Sequence, residues 1–103
     1  MITRVWRGWT TPRDADAYQD FLLSNLFPAM LELPGFLGAD VLRRQDGQHV
    51  AFMTLTRFTS FNDVSRFVGN DVDAPVIEPR AAELLARYDE RVEHFKTTRF
   101  DLR

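Results

Sequence analysis

The sequence lacks cysteine, has no excess of basic residues and contains no long apolar run. Without cysteine among its 103 residues, the chain can form no disulfide, thiolate metal site or cysteine nucleophile. Its 13 basic and 15 acidic residues give a net charge of -2, so we expect no nucleic-acid partner. The segment Met1–Trp9 is interrupted by Arg4 and Arg7, unlike a signal peptide, and no stretch approaches the roughly 20 apolar residues that cross a bilayer. We therefore expect a cytoplasmic protein with no membrane partner.

Several motifs of common enzymes are also missing. The sequence has no glycine-rich phosphate loop, no histidine-carboxylate cluster with the spacing of metal ligands, and no Gly-x-Ser-x-Gly elbow around a serine nucleophile. These absences disfavour nucleotide binding, zinc-dependent hydrolysis and serine hydrolysis. We expect no metal site and no bound cofactor.

The first half of the chain predicts a strand, a long helix and a hairpin. Ile2–Thr10 is rich in β-branched and aromatic residues, and the helix that follows shows an apolar stripe from Asp14 until just before Pro34. Pro28 lacks the amide that a helix interior needs, so we expect a kink or an irregular last turn there. Two antiparallel strands, 36–44 and 49–58, should pair across an Asp-Gly turn.

The second half predicts two short helices and a last strand. Ser60, with an acidic residue three positions later, is typical of a helix N-cap, and Pro79 suits the first position of a further short helix. The run 89–100 alternates charged and apolar residues, as a strand does. The order predicts one α+β domain, residues 1–103, with the ferredoxin-like βαββαβ fold and an antiparallel sheet.

The third predicted strand is apolar on both faces, although the helices can cover only one face of the sheet. A second copy of the chain is the commonest cover for the other face, so we expect a homodimer. The alternative is a monomer with a locally hydrophobic strand. The residues of the two faces are Val50, Phe52 and Phe58 on one, and Ala51, Met53 and Leu55 on the other.

Three segments carry a resemblance to a known superfamily. These are Pro34-Gly35-Phe36-Leu37-Gly38 after the amphipathic helix, Val41-Leu42-Arg43-Arg44, and Leu55-Thr56-Arg57-Phe58-Thr59-Ser60. They resemble the antibiotic biosynthesis monooxygenases across nearly the whole chain. The resemblance implies a dimeric α/β barrel, and the superfamily contains cofactor-free oxygenases of phenolic polyketides, heme-degrading enzymes and many small proteins with no known reaction.

The sequence departs from the family at two positions. Many members have a tryptophan at the end of the third strand, where this chain has Phe58, and members often have a histidine at the end of the second helix, where this chain has Val68-Gly69. The resemblance places Phe58 among the candidate substrate contacts.

His94 and Arg57 are the candidate catalytic residues. An imidazole among apolar neighbours can take a proton from a phenolic substrate near neutral pH, although His94 is equally compatible with a structural, hydrogen-bonded histidine. Arg57, between apolar neighbours, could stabilise a developing phenolate, whereas most strand arginines should be solvated and paired with acids. His49 lies beside the hairpin turn, where a surface role is expected.

Aromatic and amide side chains complete the candidate site. Trp6 and Trp9 should project to opposite faces of the first strand, so only one of them can line a given pocket. Tyr18, on the inner stripe of the first helix, could donate a hydrogen bond to a substrate oxygen, and Asn62 begins the second helix near the expected cleft mouth. Burial in the core explains the aromatic residues as well.

The leading hypothesis is a cofactor-independent monooxygenase that binds a small aromatic or polyketide-like molecule between helices and sheet. In this hypothesis the deprotonated substrate itself supplies the electron to dioxygen. The first alternative is a non-catalytic dimeric binding or accessory protein whose cleft is filled by side chains. The second is a heme-binding or heme-degrading protein with His94 or His49 as axial ligand.

Overall fold

Strand β1, Ile2–Thr10, lies inside an antiparallel sheet in the computed structural model, which describes residues 1–102. One edge of β1 pairs along its full length with β3, His49–Phe58, and β3 pairs with β2, Phe36–Asp46. The other edge of β1 pairs with two short strands, β4, Arg87–Tyr88, and β5, Glu93–Lys96. The predicted ferredoxin-like α+β class and antiparallel sheet are confirmed.

The β2–β3 hairpin forms as predicted. Gly47, in the two-residue turn, has a φ of 61°, a left-handed conformation that glycine adopts without a Cβ clash. Strand β2 extends two residues beyond the predicted end, and a bulge between Phe36 and Gly38 shifts its register against β3.

The long first helix is regular only in part. A 3₁₀ turn, Pro12–Asp14, leads into α1, Ala15–Phe21, then a π-helical segment, Leu22–Leu26, and finally α2, Phe27–Met30. Pro28 has no amide to donate to the carbonyl one turn earlier, so regular α-helical bonding fails at that point. The irregularity predicted at Pro28 therefore occurs in the turn before it. No helix of residues 1–102 is long and apolar enough to span a membrane.

The second half follows the predicted caps. Helix α3, Phe61–Val68, begins with Ser60 as N-cap, whose hydroxyl accepts a bond from the Asp63 amide at 3.4 Å and donates one to the Asp63 carboxylate at 3.0 Å. Helix α4, Pro79–Leu84, begins at the predicted proline.

The prediction of one continuous last strand is wrong. In this last part of the chain, β4 and β5 are the two segments that pair with β1. The residues between them leave the sheet edge, and the Val92 amide donates to the Asp73 carbonyl instead. Residues 97–102 form no strand, and Phe100 is exposed. Of the twelve residues predicted as a strand, 89–100, only the four of β5 are in one, because charged and apolar residues can alternate in a segment that has no partner strand.

The helices cover one face of the sheet, which we call the inner face. It carries the even-numbered residues of β1 and β3, among them the buried Phe52 and Phe58. The outer face carries the odd-numbered residues, and no element of residues 1–102 packs over it as the helices pack over the inner face. Along β3, the buried residues Val50, Phe52, Thr56 and Phe58 all lie on the inner face. The second copy expected over the outer face stays a prediction.

Candidate functional site

A cleft lies between the first helix and the inner face of the sheet. Its walls come from β1, from α1 and the π segment, and from the loop of residues 71–78 that precedes α4. Most of its lining is apolar, and the side chains that form the apolar wall are Trp6, Leu22, Leu26, Phe27, Met30 and Phe67.

Trp6 and Tyr18 have fixed orientations in this cleft. The Trp6 indole donates to the Asp89 carbonyl at 2.7 Å and packs against the Tyr88 ring, so one ring face is held toward the cleft. Tyr18 packs edge-on against Phe52 at 4.9 Å between centroids. Burial raises the pKa of Tyr18 well above its ordinary value, so its hydroxyl stays protonated and can act as a hydrogen-bond donor.

Arg4 brings a positive charge to the same cleft. Its guanidinium donates to the Val72 carbonyl at 2.6 Å and to the Ala74 carbonyl at 2.7 Å, which ties the 71–78 loop to strand β1. Arg4 also lies 5.8 Å from the Phe67 ring centroid. Burial lowers the pKa of Arg4 to about 10, opposed by the negative charge of Asp73, and the side chain remains protonated at neutral pH.

His94 stands behind Arg4 on strand β5. Its Nε2 lies 3.0 Å from an Arg4 nitrogen and its Nδ1 lies 3.2 Å from the Asp73 carboxylate. Because arginine can only donate, Nε2 is the acceptor, and Nδ1 carries the proton that is donated to Asp73. Burial, followed by the charge of Arg4, lowers the pKa of His94, while Asp73 raises it. His94 is therefore a neutral hydrogen-bond bridge between Arg4 and Asp73.

The structure brings together only part of the predicted site. Trp6 and Tyr18 line the cleft, and His94 touches it through Arg4. Trp9 lies on the outer face, as the alternation along β1 predicted, where Arg87 stacks on its ring at 3.7 Å and Asp46 accepts its indole N–H.

Three further candidates lie away from the cleft wall. Arg57 is on the outer face, where its odd position on β3 points it away from the cleft, and it pairs with Asp40 at 2.6 Å. The structure therefore does not bring Arg57 together with Trp6 and Tyr18. Phe58 is fully buried and stacks against Phe67, which itself lines the cleft. Asn62 is exposed on the first turn of α3.

Arg4 is the site residue that sequence reasoning missed. It belongs to the strand arginines, most of which the sequence predicts to be solvated. The signal that distinguishes it is its phase: Ile2, Arg4 and Trp6 alternate on one face of β1, and that face is the one buried by the helices.

The cleft is nearly closed in this conformation. Its free volume is about 40 Å³, enough for a few water molecules but not for an aromatic ring system. Drug-sized ligands occupy pockets of roughly 300–1,000 Å³. Ligand entry therefore requires the 71–78 loop or the helix wall to move, and π-helical turns such as Leu22–Leu26 frequently occur at functional sites.

The described residues offer no suitable ligands for a metal ion or for heme in this cleft. Residues 1–102 contain no cluster of three histidine, aspartate or glutamate side chains that could hold a metal ion. An axial heme ligand needs a free imidazole nitrogen facing the cavity, whereas both nitrogens of His94 are hydrogen-bonded, and His49 is on an odd position of β3 at the hairpin. Neither histidine lines the cleft.

The fold and cleft define a ferredoxin-like α+β protein with an apolar pocket under its helices. No family model matches the sequence, and no curated protein matches it. Solved structures do share the fold. SnoaB, a cofactor-independent oxygenase from Streptomyces nogalater, is 16% identical with a TM-score of 0.60, covering 96% of this chain and 94% of its own.

Two other structures agree with this fold. An antibiotic biosynthesis monooxygenase is 13% identical with a TM-score of 0.60, over 96% of this chain and all of its own. The heme-degrader MhuD from Mycobacterium tuberculosis, with two hemes in its active site, is 16% identical with a TM-score of 0.60, over 99% of each chain. The likeness to antibiotic biosynthesis monooxygenases predicted from the sequence is confirmed at the level of the fold.

Proposed function

We propose that this chain binds a small aromatic molecule in the cleft and oxidises it with dioxygen without a cofactor. The observation that carries this proposal is the apolar cleft itself, with the Trp6 ring and the Tyr18 hydroxyl on its walls. Apolar pockets with a few convergent polar groups are the usual form of small-molecule sites. The shared fold with SnoaB, itself a cofactor-independent oxygenase, supports the same assignment.

In such a reaction the substrate supplies the electrons. A phenolic ring system that loses a proton passes an electron to dioxygen, and recombination followed by loss of water converts a CH₂ group to C=O. One oxygen atom enters the product and the other leaves as water, so no external reductant is consumed. In this proposal the protonated Tyr18 hydroxyl, on the cleft wall, donates to the substrate oxygen that gains charge.

The role of His94 as the base stays a prediction. In this conformation its Nε2 lone pair accepts from Arg4, so it can take a proton from the substrate only after Arg4 moves. Loss of turnover in His94→Ala with ligand affinity retained would support that role, and full turnover would remove it.

We further propose that the chain works as a homodimer through the outer face. This face has a shallow groove of about 380 Å³ bordered by Trp9, Leu42 and Met53, and half of Leu42 is exposed. Replacing Leu55 on this face with Asp should give a monomer in native mass spectrometry. Leu31→Asp, at a leucine that is 75% exposed beyond α2, is the control and should leave the mass unchanged. A wild-type monomer would contradict the proposal.

The test of the proposed chemistry uses anthrone as probe, because its CH₂ is acidified by an aromatic ketone. We expect dioxygen consumption and formation of the quinone above the rate in buffer. Trp6→Ala should lower kcat/KM at least tenfold, while Trp9→Ala, the tryptophan on the opposite face of the same strand, should change it less than twofold. Equal losses in the two variants would contradict a site in the cleft.

A second candidate is a non-catalytic accessory protein, and the small free volume of the cleft favours it. This candidate predicts that neither tryptophan fluorescence nor native mass changes when aromatic probes are added. A bound probe at a stoichiometry of one per chain would exclude it.

A further inference from the structure

Arg4 is the one charged residue that is buried among residues 1–102, with 5% of its surface exposed. No carboxylate of this part of the chain lies within 4.0 Å of its guanidinium, so Arg4 has no direct ion-pair partner. By contrast, Arg7, on the other face of the same strand, pairs with Glu93 at 2.9 Å. Burying a charge without an opposite charge is costly, and two backbone carbonyls compensate it only in part.

The hydrogen bonds of Arg4 leave donor capacity for a ligand. A guanidinium has five N–H donors, and three bonds join Arg4 to Val72, Ala74 and His94. The acceptor on His94 is a neutral imidazole, and the Asp73 carboxylate bonds to the far nitrogen of that ring and not to Arg4. Arg4 also lines the cleft. An acceptor that enters the cleft therefore meets a buried positive charge with no direct ion-pair partner in largely apolar surroundings, where charge-charge attraction is strong.

We propose that Arg4 binds an anionic oxygen group of the ligand, so that the cleft selects aromatic molecules carrying one acidic group, a carboxylate or an ionised enol or phenol. This inference rests on the proposed function, because it assumes that the cleft admits a ligand. The aromatic body contacts the Trp6 and Phe67 side of the cleft while the anion pairs with Arg4. Glu78, which also lines the cleft, repels a second negative group, so a monoanion is preferred over a dianion.

The experiment compares aromatic acids with their uncharged amides. Benzoate, 2-naphthoate and anthracene-2-carboxylate are titrated into the wild-type protein alongside the amide of each, with binding followed by tryptophan fluorescence and calorimetry. A carboxylate and its amide have nearly the same shape, so their affinity ratio isolates the charge. We expect at least one acid to bind about tenfold more tightly than its amide, as hydrogen bonds to charged groups allow.

Variants then assign the preference to Arg4. Arg4→Met should reduce the acid-to-amide ratio to near one, Arg4→Lys should retain part of it, and Arg7→Met should leave it unchanged. The wild-type ratio needs no variant, so a poorly folded Arg4→Met does not remove the test. A purely structural Arg4 would weaken both probes equally.

The outcomes separate this inference from the proposed function. Amides that bind as tightly as their acids overturn the role of Arg4 and leave a ligand-binding cleft in place. Absence of binding by all six compounds overturns both. An acid preference that persists in Arg4→Met and is lost in Arg7→Met places the anion on the outer face and also overturns the inference.

Discussion

The arginine side chains on the two faces of the sheet differ in burial and in bonding partners. On the outer face, Arg7 and Arg57 pair with Glu93 and Asp40 in partly solvated ion pairs. On the inner face, Arg4 is buried and bonded to carbonyl groups and a neutral imidazole. Paired and solvated charges contribute little to stability or recognition, whereas a buried unpaired charge is typical of a functional position. This difference is the basis on which we propose a ligand site on the inner face and a contact with a second copy on the outer face.

The largest difference in stability should appear between alanine variants of two neighbouring residues of β3 that lie on opposite faces of the sheet. Phe52→Ala removes a ring that is 2% exposed and should lower the free energy of unfolding by about 3–5 kcal/mol. Met53→Ala, on the outer face, should lower it by about 1 kcal/mol in the monomer. Urea denaturation of each variant measures both values, and equal losses would show that the two faces do not differ in burial.

The two arginines of β1 provide the next contrast. Arg4→Met leaves the carbonyls of Val72 and Ala74 without their donors, so we expect a loss of about 1–3 kcal/mol and faster amide exchange in residues 71–78. Arg7→Met removes an exposed ion pair and should cost less than about 1 kcal/mol. Hydrogen exchange followed by mass spectrometry checks the loop, and unchanged exchange in Arg4→Met would contradict its tethering role.

A smaller effect should appear in the pH dependence of stability. The pKa of His94 is lower in the folded protein than its ordinary value of 6.5, mainly because of burial, so the unfolded chain binds the proton more readily. The stability linked to neutral His94 is fully present above about pH 6.5 and is lost as the pH falls from there toward the lower folded pKa.

The matched variants isolate this contribution. Denaturation at pH 8 and pH 5 should show a smaller difference for His94→Gln than for the wild type, because glutamine does not titrate. His49→Gln leaves the Arg4–His94–Asp73 contacts intact and should keep the wild-type difference. Identical pH dependence in all three proteins would mean that His94 is not buried as a neutral ring.

The smallest effect should be that of the outer-face pair between Arg57 and Asp40. A double-mutant cycle with Arg57→Ala and Asp40→Ala should give a coupling energy of about 0.2–1 kcal/mol, because more than half of the Asp40 side chain is exposed. A much larger coupling, measured on the dimer, would show that assembly buries this pair.

Most of the fold was predictable because its signals are local. The Asp-Gly turn set the hairpin, and the Ser60 cap and Pro79 set two helix starts. The last strand was less predictable, since pairing depends on a distant partner: Val92 bonds to Asp73 rather than to β1. Alternation within a segment cannot show whether a neighbouring strand is present.

The site was less predictable than the fold. Alternation along β1 correctly separated Trp6 from Trp9, but the same rule applied to β3 would have placed Arg57 beside Met53 and Leu55 on the outer face. The bonds of Arg4 to the loop carbonyls join residues about 70 positions apart, so no sequence spacing indicates them. Local chemistry identifies candidate groups, whereas tertiary packing decides which of them meet.

The π-helical segment changes the angle at which side chains of the first helix project toward the sheet. Tyr18, Leu22, Leu26 and Met30 recur every four residues, and in a regular α-helix that spacing drifts by about 40° at each step because each residue turns about 100°. The wider π turn absorbs this drift and keeps the four side chains in line with the sheet. Deleting one residue, such as the exposed Ser24, would leave Met30 about 20° from a whole number of α-helical turns after Tyr18, so a regular α-helix would keep the two in line without the π turn. We therefore expect relatives whose first helix is one residue shorter to keep this cleft with a regular α-helix in place of the π turn.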